Sequence, residues 1–316
     1  MSPHLIVPFA AASGDACHAI LPKLELPHLQ RLLQRWHPAG DDRGDDYSLS
    51  TPHERALART LGWPELPDGT LPWAAWESGV SGVASAWFTP CHWSVGMEQV
   101  TLLPPGELDL REDESRALLE ALRPFCAEDG ITLTYEAPDR WLATGDWFTN
   151  QPCASLDRVA HRRVDVWLPR DGRVLRLQNE AQMLFYTHPV NDERTARGVP
   201  AVNGFWLSGT GTWQTDWPAT EPAPLVPQGL RHAALRGDWA AWQQAWAALD
   251  ATEINQWLER AERGEALQLT LCGEHSSRTW QSTAPGDAPR PGWTQRLLSK
   301  LRPAAAPRVQ DALKDL

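Results

Sequence analysis

Residues His188–Gly211 read HPVNDERTARGVPAVNGFWLSGTG. A helical pattern over Leu177–Thr187 stops before His188-Pro189, where proline forces the chain out of the α region. Asn191 and Arg194 stand three apart, so a helical turn puts them on one face. Pro200–Thr212 reads as loop and then strand. An arginine fork suits a carboxylate or phosphate. His188, Asn191, Arg194 and Asn203 are therefore the candidate ligand-binding residues. The competing reading is architectural, because buried polar groups serve hydrogen-bond satisfaction first. In it His188 and Asn191 cap the preceding helix, and Arg194 pairs with Glu193 or a neighbour.

Outward from this stretch, helices and strands are marked by their periods. Pro27–Trp36 carries Leu29, Leu32, Leu33 and Trp36 at helical spacing. Thr51–Leu61 opens with Thr51, Pro52 and Glu54, a capping box, and stops at Gly62. Asp109–Phe125 opens with a second box, Asp109 and Glu112, and turns Leu118, Leu119, Leu122 and Phe125 inward. Asp238–Leu249, with Trp239, Trp242 and Trp246, and Thr252–Arg263 read as two separate helices. His4–Ala10 and Ala266–Cys272 read as strands, the latter from alternating leucines. Trp76–Leu103 reads as two or three strands, and Ile131–Tyr135 and Arg140–Thr144 as a pair. Gly40–Tyr47 reads as a polar loop. From Ser282 the chain is rich in Pro, Ala and Gly, with one short basic amphipathic stretch, Trp293–Leu301.

Bulk properties narrow the function classes. With 316 residues, two domains are expected. The net charge of −11 argues against nucleic acid, whose phosphates need a basic face, and against an anionic membrane surface. The five cysteines are far apart and show no CxxC spacing, so reduced thiols and a cytoplasmic location are expected. Met1–Phe9 lacks a signal-peptide pattern, and no apolar run is long enough to span a bilayer.

The HPVN…NGFWLSGTG stretch resembles a segment of the archaeal-type cofactor-independent phosphoglycerate mutases. It is still closer to RpfE-type regulatory proteins. LPKLELPHLQRLL (Leu21–Leu33), TPHERALARTLGW (Thr51–Trp63) and Phe88–Leu142, with its DLREDESRALLEAL helix, support the resemblance. It covers most of residues 4 to 215. The resemblance implies an α/β fold of the alkaline-phosphatase type, a mixed sheet between helices with an inserted smaller α+β domain. The expected division is a core of residues 1–80 and 150–281, an insert at 81–149 and a tail at 282–316.

The same resemblance implies a serine nucleophile and two metal ions. The family's first metal ligands lie in an Asp-Gly motif after strand one, where this chain has Val7-Pro8-Phe9-Ala10. The nucleophile's motif, Pro-Gly-Ser-Asp, is replaced by Pro52-His53-Glu54-Arg55. Near the late metal motifs only Glu274 and His275 remain. Losing a nucleophile alone costs on the order of 10⁶ in kcat in a serine hydrolase.

Other clusters carry weaker signals. Arg158, His161, Arg162 and Arg163 form a candidate anion-binding rim, or a solvated face. His53-Glu54 and Glu274-His275 are too local to make metal sites, and Asp41–Asp46 lacks EF-hand spacing. Cys91-His92 reads as core. The sequence thus predicts a catalytically degenerate mutase-like protein with a binding or regulatory role, no metal site and no cofactor. Its partner would be a small phosphorylated or carboxylated ligand or a protein. Two alternatives are a phosphoryl-transfer enzyme with a reworked site, and a protein-interaction scaffold using the Trp-rich C-terminal part.

Overall fold

A computed structural model describes residues 2–96, 99–218, 221–282 and 308–316. In chain order the elements begin β1 (His4–Val7), α1 (Asp15–Ile20), α2 (Pro27–Arg35), β2 (His37–Arg43), α3 (Pro52–Thr60) and α4 (Trp73–Ser78). There follow β3 (Ser85–Val95), β4 (Val100–Leu103), α5 (Glu112–Glu128), β5 (Thr132–Ala137), β6 (Arg140–Thr144) and α6 (Leu156–Val159). Next come α7 (Gly172–Tyr186), α8 (Pro189–Ala196), β7 (Gly204–Gly211), α9 (Gly229–Leu235), α10 (Trp239–Leu249) and α11 (Asn255–Glu262). The order ends with β8 (Gln268–Cys272), β9 (Ser276–Gln281) and α12 (Val309–Lys314). The result is mixed α/β, with helices packed on two sheets. No described helix is long and apolar enough to cross a membrane.

Two compact units divide the chain. The first comprises Met1–Asp46, Pro52–Gly62 and Ala219–Leu316. Its sheet runs β1-β8-β9-β2, with β1 parallel to β8 and the other pairs antiparallel. Alternation sorts the strands' side chains. Leu5, Val7, Leu269, Leu271 and Trp280 point into the main core, against Leu29, Leu32, Leu33, Trp242 and Trp246. On the opposite face Ile6 and Cys272 meet Ala56 of α3.

The second unit comprises Tyr47–Thr51 and Trp63–Pro218. Its sheet runs β4-β3-β6-β5, and β7 pairs with the free edge of β3. That pairing corrects the expected boundaries of 81–149. β7 bonds to β3 from Gly211 opposite Ser85 to Gly204 opposite Cys91, which carries the HPVN segment into this unit. Phe88 and Phe205 stack 4.1 Å apart in its core, beside Leu118, Leu122, Trp141 and Phe185.

Several local readings change. Of the expected loop Gly40–Tyr47, the first residues, Gly40–Arg43, complete the edge strand β2, HPAGDDR at 37–43, held by antiparallel pairing with β9. α5 starts later than expected, with Arg111 at the N-cap and Glu114 accepting the Arg111 N–H, while Asp109 is left-handed (φ 48°). Phe125 turns outward and Cys126 takes its place in the core. The helices at 238–263 are continuous through a π-helical turn, Asp250–Ile254. The basic stretch Trp293–Leu301 lies outside the described residues. Beyond it α12 packs Val309, Ala312 and Leu313 into the first unit's core. All five cysteines are buried and free.

Candidate functional site

The HPVN segment is built into the second unit by its polar atoms. His188 caps the following helix rather than the preceding one, its Nδ1 accepting the Val190 N–H at 3.3 Å. Asn191 Nδ2 donates to the carbonyls of Phe185 and Val202, both at 2.8 Å, and its Oδ1 accepts the Val202 N–H at 2.9 Å. Asn203 makes a matching two-way bond with the Trp93 backbone, donating at 2.9 Å and accepting at 2.7 Å. Arg194 is 0% exposed. It donates to Pro200 O at 3.0 Å, Asp109 O at 3.3 Å and Leu108 O, and meets Glu114 at 2.5 Å. The expected pairing with Glu193 is thus replaced by a carboxylate eighty positions earlier. Arg197 shares that carboxylate at 2.5 Å.

The candidate rim residues take separate partners. Arg158 is buried, donates to Ser50 O at 3.2 Å and lies 5.9 Å over the Trp167 ring. His161, left-handed at φ 58°, meets Glu107 at 2.8 Å. Arg163 pairs with Asp165 at 2.5 Å. Arg162 sits between them in the turn after α6, partly exposed.

In the first unit, the place where the resemblance puts metal ligands is a closed turn. Phe9 is buried and left-handed (φ 52°). Its carbonyl accepts the Trp242 indole N–H at 2.9 Å, and the Ala10 carbonyl accepts that of Trp246 at 3.3 Å. Ala10 N–H reaches Cys272 O at 2.7 Å. The His53 ring lies 5.8 Å from the Phe9 ring. Hard cations need several oxygen donors; this turn offers apolar side chains and carbonyls already in use. Among the described residues no group of three or more His, Cys, Asp or Glu is arranged to hold a metal. The residues present do not fit the two-metal centre.

Beside this turn Ser13 Oγ lies 3.0 Å from His275 Nε2, and Ser13 N–H donates to Glu274 at 3.0 Å. A serine–histidine pair needs its acid on the other ring nitrogen. Asp46 instead approaches the same Nε2, at 3.4 Å. Nδ1 is buried without a partner among the described residues. The trio is not a nucleophilic triad.

A polar cavity of about 560 Å³ opens on the α3 side of the same sheet. Its floor is His4, Thr270, Ser277 and Thr279, and its walls include Arg59, Thr60, Asp42 and Arg43. Sequence reading missed it. The alternation in QLTLC that marks the apolar face places Gln268 and Thr270 on the opposite face. The signal was a strand whose second face is polar where a helix packs.

No family model and no curated protein sequence matches the chain. Among solved structures it is similar to a cofactor-independent phosphoglycerate mutase from Thermoplasma acidophilum, with 13% identity, 92% of each chain covered and a TM-score of 0.37. It is also similar to the PH0037 protein from Pyrococcus horikoshii, with 11% identity over 95% of this chain and 92% of that one, and a TM-score of 0.46.

Proposed function

We propose that the chain is a mutase-like protein that has given up phosphoryl transfer and acts by binding, in a regulatory role. The turn after β1 carries this reading. Phe9 and Ala10 stand where the resemblance calls for metal ligands, and two indoles occupy their carbonyls. The family's reaction requires a metal clamp to stabilise the attacking and leaving oxygens and a hydroxyl nucleophile to take up the phosphoryl group. The purified chain with manganese, magnesium or zinc should not interconvert 2- and 3-phosphoglycerate. Turnover that vanishes on metal removal and returns on metal addition overturns the proposal.

The alternative of a reworked centre at His188 and Arg194 has less support, because their polar atoms hold α8 and α5 in place. The scaffold alternative has less support too, since Trp242, Trp246 and Trp280 are core residues.

A further inference from the structure

The hydrogen-bond polarity of the cavity beside α3 can be worked out atom by atom. Thr60 Oγ1 lies 2.8 Å from Ala56 O, which only accepts, so Thr60 donates there. Its oxygen then accepts His4 Nδ1–H at 2.9 Å. Nε2 of a neutral His4 is left as an acceptor, and takes the Thr270 hydroxyl at 2.7 Å. Thr270 in turn accepts the Thr279 hydroxyl at 2.7 Å. His4 is neutral because burial lowers its pKa to about 4, with Arg59 adding to the effect. Thr279 therefore shows the cavity only lone pairs, and an occupant must donate a hydrogen bond to it.

The rim sets a second requirement. Asp42 accepts from Arg55 at 3.0 Å and Arg59 at 2.7 Å, and Asp41 from Arg278 at 2.9 Å. Arg43 lines the same rim and has no carboxylate within ion-pair distance among the described residues. Arg278 also meets Asp315 at 3.7 Å, so Arg43, whose guanidinium no carboxylate of the described residues engages, is the cation of the lining left to an anionic occupant. Apolar lining is confined largely to Ala39 and Ala56, so a carbon-rich ligand gains little.

We propose that this cavity binds a compact anion carrying a hydroxyl group, either a small hydroxycarboxylate or a polyol phosphate. The anion lies against Arg59 and Arg43, and the hydroxyl donates to Thr279 Oγ1. Gln268 and Gln281 border the cavity with further amide groups. The site includes the first residues of β1 and β8, away from the Phe9–Ala10 turn that follows β1, and it does not depend on whether the chain turns over phosphoglycerates.

Calorimetric titration of the full chain at constant ionic strength tests this with four probes: glycerate, glycerol 3-phosphate, propionate and glycerol. Glycerate and glycerol 3-phosphate should bind, and the tighter of the two identifies the anion. Propionate lacks the hydroxyl and glycerol the charge, so each should bind about tenfold more weakly or worse. Thr279→Val should erase the preference for glycerate over propionate, whereas Thr279→Ser, which keeps the oxygen, should retain it. Arg59→Gln should erase the preference for glycerate over glycerol. The proposal fails if neither hydroxylated anion binds the wild-type chain. It also fails if the preferences survive Thr279→Val and Arg59→Gln, or if Thr279→Ser loses as much as Thr279→Val.

Discussion

Arg194 is shut off from solvent, and its charge is tolerable there because Glu114 and three backbone carbonyls surround it. Burial pushes the Glu114 carboxyl up. The Arg111 N–H together with Arg194 and Arg197 more than offsets this, holding it below the ordinary carboxylate range. The group is therefore ionised at neutral pH, and its stabilising contribution is lost only as pH falls through that lowered value. Breaking a buried pair costs far more than deleting an exposed one, because the surviving charge stays buried. Glu114→Gln should destabilise the second unit by about 3–5 kcal/mol in urea unfolding, while Glu120→Gln, at an exposed pair, should cost under about 1 kcal/mol. Equal effects would refute this account of the segment. The choice of Asn191, Arg194 and Asn203 as special residues was legible in their chemistry. Their partners were not, because Glu114 and Trp93 are brought near by the pairing of β7 with β3 and by the packing of α8 on α5, which no local spacing encodes.

At the level of elements, α2 and α10 were readable because their apolar residues recur at helical spacing. β2 was not. HPAGDDR has no alternation, holds Pro38 and Gly40, and is an exposed edge whose extension comes from pairing with β9. The break assumed between α10 and α11 is a π turn whose Asp250 carboxylate accepts the backbone N–H groups of His28 and Leu29 at the start of α2. Helical spacing aligned Trp239, Trp242 and Trp246 along α10 but said nothing about their indole nitrogens. Trp242 is fully buried and satisfies Phe9 O, whereas Trp239 is only partly buried. An orphaned buried acceptor costs about 1–3 kcal/mol. Trp242→Phe should therefore lower stability by that amount beyond its loss of packing, and Trp239→Phe should be nearly neutral. Thermal unfolding of the two variants side by side measures the difference.

Across the whole molecule, the α/β class was implied by the resemblance, and the helical and alternating patterns along the chain are compatible with it. The extent of the second unit was not legible, because it rests on one strand pairing far in sequence. The sealed thiols give these two units a use as clocks. Cys17 and Cys272 belong to the first unit, and Cys91, Cys126 and Cys153 to the second. Burial pushes the Cys17, Cys91 and Cys272 thiols up and brings Cys126 to about 12, so these four buried thiols offer an alkylating reagent little thiolate while the molecule is closed. Labelling must then wait for local opening, and its rate reports the opening free energy at each site. With iodoacetamide and mass spectrometry, Glu114→Gln should speed modification of Cys91 and Cys126 and leave Cys17 and Cys272 at the wild-type rate. Uniform acceleration of all five would mean that the chain opens as a single cooperative body. Each unit thus carries its own timekeeper, written into its native thiols.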